Sequence, residues 1–161
     1  MKKIINKIFT FIKQQPYGLN KFDKERKIVE IMKLQIKHHK ENCQIYRTWY
    51  KKNNFIDPAK ICKYEDIPYL PSAIFKQINL KSTNNNNKII SSSGSTGQNK
   101  SIINIDSITS NFQKICLSKI LSSSIGKNRK PFFIVDVEPT ENFQQDTISA
   151  RYAGMSGYLM A

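Results

Sequence analysis

The segment Ser91-Ser92-Ser93-Gly94-Ser95-Thr96-Gly97-Gln98-Asn99-Lys100-Ser101 holds the residue types and spacing best suited to chemistry. Gly94 and Gly97 let the backbone adopt φ > 0 and come close to a ligand, so successive N–H groups can converge on an anion. The hydroxyls of Ser92, Ser93, Ser95 and Thr96 add donors, and Lys100 adds positive charge. Such a loop is a cradle for a polyphosphate. Its composition alone also fits a flexible serine-glycine linker. Its position between two short apolar segments, Lys88-Ile89-Ile90 and Ser101-Ile102-Ile103-Asn104-Ile105, favours the cradle.

Two kinds of phosphate cradle compete for this pattern. Gly94 to Ser101 is one residue short of the Walker pattern G-x-x-x-x-G-K-[ST], with Asn99 where the second glycine would stand. Asparagine tolerates φ > 0, so a degenerate Walker-type NTPase is a reading to be tested. A Walker loop runs directly into a helix whose N-terminus faces the phosphates. Here the following residues have strand character, and the loop instead joins neighbouring strands.

The elements that must position this loop are legible on both sides of it. Asp106 offers an N-cap, and Ile108, Phe112, Ile115, Cys116, Leu117, Ile120 and Leu121 give a helical apolar face down to Gly126. Cys116 in that face reads as packing rather than as a nucleophile. Pro131-Phe132-Phe133-Ile134-Val135-Asp136-Val137 is a continuous branched and aromatic run, expected as a strand buried on both faces. The fold class is therefore α/β. Upstream, Ile4, Ile5, Ile8, Phe9 and Ile12 recur at helical spacing among lysines and predict an amphipathic basic helix ended by Pro16-Tyr17-Gly18. Packing is the expected role of that helix, with a membrane-surface role as the alternative. A second helix is expected from Asp23 to Asn42 and a third from Cys43 to Lys52. His38 and His39 are adjacent, so on a helix they diverge by about 100° and do not make a metal-binding pair. Asp57-Pro58 and Asp66-Ile67-Pro68-Tyr69-Leu70-Pro71 hold the chain extended, Ser72 to Lys76 starts a short helix, and Ser82 to Asn87 is a polar loop tip.

Ser92-Ser93-Gly94-Ser95-Thr96-Gly97 closely resembles the S-S-G-T-T-G signature of the adenylate-forming (AMP-binding) enzymes, with Ser95 keeping the hydroxyl of the first threonine. Asn99 departs from the proline common after this signature in the acyl-CoA synthetase branch. Ile67-Pro68-Tyr69-Leu70-Pro71 with Phe75-Lys76 resembles the I-P-[FY]-L-P…F-K element of the LuxE-type acyl-protein synthetases. Ile148-Ser149-Ala150-Arg151-Tyr152-Ala153-Gly154 with Gly157-Tyr158 resembles that family's S-A-R-x-A…G-[FY] element. The resemblance runs from about Asp66 to the C-terminus and implies part of the mixed sheet of an adenylate-forming enzyme's large domain. On it, residues 1–65 are a mainly helical region and residues 66–161 a partial, truncated α/β domain. It implies activation of a long-chain fatty acid with ATP and Mg²⁺, through an acyl-adenylate, for transfer to protein and reduction by a partner acyl-protein reductase. Ser92, Ser93, Ser95, Thr96 and the Gly94 and Gly97 backbones would hold the β,γ-phosphates, with Lys100 as an extra cation and Arg151 as a second anion contact. No catalytic residue and no metal ligand is assigned.

Composition bounds these readings. The chain has 161 residues, 39% of them hydrophobic, and expects a folded core. Cys43, Cys62 and Cys116 form no C-x-x-C pair and leave an odd one over, which suits a reducing compartment and makes the cytoplasm the expected location. No run approaches a membrane span, and lysines interrupt the N-terminus before a signal-peptide core can form. Twenty-six lysines and arginines against twelve carboxylates give a net charge of +14. Lysine dominates and is spread along the chain, so the charge reads mainly as compositional bias, and nucleic-acid binding is the weaker option. The adenine site, the metal-binding acid and the mobile C-terminal domain of an adenylate-forming enzyme have no counterpart here, and Tyr158-Leu159-Met160-Ala161 stops without a cap. In the resembling family the acyl-accepting cysteine lies near the far C-terminus, where none of the three cysteines matches. The chain is therefore expected to be an interrupted enzyme, inactive alone in fatty-acid-dependent exchange of pyrophosphate into ATP; the alternative is a non-catalytic nucleotide- or partner-binding module.

Overall fold

A computed structural model describes residues 2–83, 88–92, 100–128, 131, 133, 135 and 147–158. They form two compact units, Met1–Asn84 and Asn85–Ala161. In the first unit, helix α1 (Lys2–Ile12) is followed by α2 (Lys21–Asn42) and α3 (Gln44–Lys52), then by three single 3-10 turns at Pro58–Lys60, Tyr64–Asp66 and Ser72–Lys76.

α2 starts where Asn20 accepts the Asp23 N–H at 2.9 Å, satisfying one of the N–H groups that a helix start leaves unpaired. Its far end is closed by Arg47 of α3, whose Nε and Nη2 donate to the carbonyls of Lys40 and Glu41 at 2.6 and 2.8 Å. The arginine thus fixes the α2–α3 corner while capping the carbonyl end of the helix. Inside that corner Val29, Ile36, Cys43, Tyr46, Tyr50 and Ile61 are buried. Val29 and Ile36 stand seven residues apart, two helical turns, on one face of α2. Trp49 and Phe55 complete an aromatic cluster, with ring centroids 4.8 Å apart. The Tyr50 hydroxyl donates to the Ile56 carbonyl, so its polar end is satisfied where its ring is buried.

The extended segment after α3 belongs to this unit. Ile67, Leu70 and Leu80 pack against the core, and the Tyr64 N–H donates to Glu25 Oε1 of α2 at 3.2 Å. The structural division therefore falls later in the chain than residue 65, because apolar side chains between the prolines bind this stretch to the helices. His38 and His39 hold different partners: His38 Nδ1 lies 3.0 Å from the Asn42 amide, and His39 Nδ1 lies 2.7 Å from Ser82 Oγ. Ser82 is thus tied down, while residues 84–87 of the asparagine tip lie outside the described residues.

The second unit is α/β. Strands β1 (Lys88–Ser91), β2 (Ile102–Ile105) and β3 (Thr147–Ser149) form a sheet of order β2-β1-β3, with α4 (Ser107–Ile125) between β2 and β3 in sequence and α5 (Ala150–Tyr158) directly after β3. β1 and β2 are antiparallel, pairing Lys88 with Ile105 and Ser91 with Ile102. β1 and β3 are parallel, pairing Ile89 with Thr147 and Ser91 with Ser149. The sheet is therefore mixed. Asp106 caps α4, accepting the Thr109 N–H at 2.7 Å, and Gly126 ends it at φ +87°, a conformation that favours glycine. α5 packs against α4.

The run Pro131–Val137 departs from expectation. Phe133 and Val135 are 93% and 100% exposed, so burial on both faces is not realised there. Among the described residues no strand pairs with Pro131, Phe133 or Val135. Phe132, Ile134, Asp136 and Val137 lie outside the described residues.

Ile61 has no accessible surface. Ile61→Ala should therefore cost about 2–5 kcal/mol of stability in urea unfolding, and Tyr50→Phe, which removes one hydrogen bond, about 1 kcal/mol.

Candidate phosphate-binding site

The loop between β1 and β2 is closed at its neck by two hydrogen bonds that extend the hairpin one residue past the last strand pair. The Ser92 N–H donates to the Ser101 carbonyl at 3.1 Å, and the Ser101 N–H donates to Ser92 Oγ at 3.0 Å. Ser92 therefore holds the neck through both backbone and side chain. A hydroxyl that accepts one such bond can still donate its own proton, so the same group fits an anion seated at the mouth. Lys100, next to Ser101, is exposed at the other side of the neck. Ser93, Gly94, Ser95, Thr96 and Gly97 lie outside the described residues.

The sheet register brings a third segment to the same place. Ser91 is flanked by Ile102 of β2 and by Ser149 of β3. Because β1 and β3 are parallel, the loop leaves β1 at the end of the sheet where α5 leaves β3. Ligand sites in α/β sheets form beyond the carboxyl ends of parallel strands, where such connections meet. Arg151 lies in the first turn of α5, two residues after Ser149, and is exposed. Ser92, Lys100 and Arg151 thus share one end of the sheet. Ser149 also accepts the Tyr152 N–H at 3.1 Å, which caps α5 at the point where it leaves the strand.

This arrangement separates the two kinds of cradle. The residue after Ser101 begins β2, and helix α4 starts only at Ser107, after that strand is complete. A Walker loop would have required the helix directly; here the segment joins two strands.

The proline segment is built differently. Asp66 Oδ2 accepts the N–H groups of Cys62 and Lys63 at 2.9 and 3.2 Å. These bonds, the Cys62 one foremost, hold its carboxyl below the ordinary carboxylate value. Ile67 and Leu70 turn to the core while Tyr69 is 82% exposed. The sequence reading picked out the loop and Arg151 but missed the carboxylate cap of Asp66, the neck bond of Ser101 and the cap of Ser149. The aspartate one residue before Ile67-Pro68 and the serine opening S-A-R were the available signals, since both residue types favour caps and turns.

The cysteines offer no activated nucleophile by geometry. Cys43 is buried in the core. Cys116 is half-buried on α4, where burial pushes its thiol up, away from the reactive thiolate. Cys62 is exposed and donates to the Lys60 carbonyl at 3.4 Å. Among the described residues no group of three or more histidine, cysteine or acidic side chains gathers around a point. No described helix is long and apolar enough to cross a membrane.

The second unit is thus a small mixed α/β sheet whose β1–β2 connection leaves at the same end as the β3–α5 connection. The model of the LuxE acyl-protein synthetase family matches residues 3–161, and the chain belongs to that family. Comparison with curated proteins and with solved structures gave no match.

Ser92→Ala should open the neck of the loop, at a cost of about 1 kcal/mol. Faster exchange of the Ser101 amide proton, with the Thr109 amide unchanged, is the expected signature. Asp66 has a lowered folded pKa, so its contribution is present above its ordinary value of 3.8 and lost as pH falls below it. Asp66→Asn should flatten the acid limb of the stability curve in that range.

Proposed function

We propose that the loop at residues 91–101 holds the phosphates of ATP in an acyl-protein synthetase that activates a long-chain fatty acid and passes the acyl group to protein. The observation that carries this reading is the shared sheet end: the closed loop neck at Ser92 and Ser101, Lys100 beside it, and Arg151 opposite on the parallel strand's connection. Membership of the family supplies the acyl-protein half of the reading.

The chemistry required of such a site is simple. A fatty-acid carboxylate oxygen attacks the α-phosphorus, a new carboxyl–phosphorus bond forms, and the bond to the β-phosphate breaks with its electron pair leaving on pyrophosphate. Negative charge grows on the leaving group. Donors held around the β,γ-phosphates would stabilise that charge, and the bonds between Ser92 and Ser101 bring the two ends of the loop together. Ser92, Ser93, Ser95 and Thr96 would donate hydroxyl protons, Gly94 and Gly97 would offer backbone N–H groups, and Lys100 and Arg151 would add charge. Mg²⁺ would enter with the nucleotide, held chiefly by phosphate oxygens and water. An acyl-protein reductase is the class of partner that would consume the product.

Binding of ATP to residues 1–161, followed calorimetrically, should be saturable and displaced by pyrophosphate but not by adenosine. Gly97→Val should weaken it about tenfold or more, equivalent to at least ~1.4 kcal/mol. Absence of saturable binding, or displacement by adenosine alone, would overturn the assignment of the loop to the β,γ-phosphates.

A further inference from the structure

α1 presents a surface that the phosphate site does not use. Ile5, Ile8, Phe9 and Ile12 stand at i, i+3, i+4 and i+7, which aligns them on one face of the helix. No residue of α1 is fully buried: Ile5, Ile8 and Ile12 are half-buried, and Phe9 is 40% exposed. The groove between α1 and α2 is lined instead by Lys3, Lys7, Thr10 and Phe11 against Lys27, Glu30 and Ile31, and Lys7 pairs with Glu30. The isoleucine face and the stripe lining this groove are therefore different sides of the helix.

Cations and exposed aromatic rings occur in α1 and in the turn that follows it. The Lys13 ammonium lies 4.2 Å from the centre of the Phe9 ring, at the edge of the apolar stripe, while Lys2 and Lys3 are exposed. Tyr17, in the turn after α1, and Phe22, at the start of α2, are 83% and 81% exposed. Through residue 27 the chain carries eight lysines and arginines against only Asp23 and Glu25. We propose that α1, with Tyr17 and Phe22, docks on an anionic lipid surface, its isoleucine face and aromatic rings entering the headgroup boundary and its lysines meeting lipid phosphates.

Two features favour lipid over nucleic acid. A duplex rewards cations in register with its phosphates and has no use for an isoleucine face. An interfacial helix needs both at once: apolar residues on one side, lysines on the flanks and aromatic rings at the boundary. Lysines at the edge of an apolar stripe can lay their methylene stems along it while keeping their ammonium groups in water. The inference does not rest on the acyl-activating function.

The test is flotation of the full chain with vesicles of phosphatidylcholine alone, or containing about one-third phosphatidylglycerol, beside a duplex-DNA binding titration. Binding is expected to the anionic vesicles and to be at least about tenfold weaker to the neutral ones. Phe9→Ser changes no charge at a partly exposed position, and should weaken vesicle binding about fivefold or more while leaving any DNA binding unchanged. The exposed pair Lys2→Glu and Lys3→Glu should weaken vesicle binding as well, with circular dichroism showing the helices intact in each variant. Failure to float with anionic vesicles would overturn the proposal. So would vesicle binding that Phe9→Ser leaves unchanged, since the surface would then act only as a polycation.

Discussion

The pairing of Ser92 with Ser101 is the constraint on which the candidate site depends. A loop with two glycines and a run of hydroxyls is entropically costly to hold in one shape, and closing its ends removes much of that cost before a ligand arrives. The closure is possible only because β1 and β2 are antiparallel in a register that sets Ser91 against Ile102. It also explains why one serine carries two bonds. Its backbone continues the ladder, while its side chain takes the N–H that the departing strand would otherwise leave unpaired.

The parallel pairing of β3 does the complementary work. A three-residue strand contributes little burial, yet its register decides which connection faces the loop. With Ser149 opposite Ser91, the start of α5 is brought to the mouth. A slip of one residue would change where along the sheet end α5 begins. The chain also caps α5 through Ser149 itself, so one residue ends the strand, starts the helix and fixes where the arginine begins.

Much of this was legible in the sequence, and the failures have physical causes. The spacing of apolar residues gave α2 and α3 to within a few residues, and Asp106 and Gly126 bounded α4, because caps and breakers act locally. α2 starts at Lys21, two residues before the expected Asp23, because Asn20 supplies the cap. β3 and α5 escaped a reading by periodicity. Three residues show no alternation, and a helix carrying Gly154, Ser156 and Gly157 has weak intrinsic preference. For Pro131–Val137 only Pro131, Phe133 and Val135 are described, and the exposure of the last two departs from the expected burial, since branched and aromatic residues favour a strand but cannot supply its neighbours. For the candidate site, glycine and hydroxyl spacing marked out the segment in the sequence. That β3 starts α5 at the same end of the sheet depends on a parallel register, which no local pattern encodes.

The groups that look reactive in a list of residue types are mostly spent on structure. Burial among other rings pushes the Tyr46 hydroxyl up to about 12, and burial raises Tyr50 and Tyr64 as well, keeping all three neutral under ordinary conditions. Cys43 packs in the core, and the Cys116 thiol is raised rather than activated. The displacement at phosphorus proposed above, with a carboxylate substrate as nucleophile, would need none of these to be tuned. It would need donors and cations held in place before the charge develops. A hydroxyl-rich loop closed at its neck, with a lysine on one side and an arginine brought in by a parallel strand, is suited to that requirement in a way that the described tyrosines and cysteines are not.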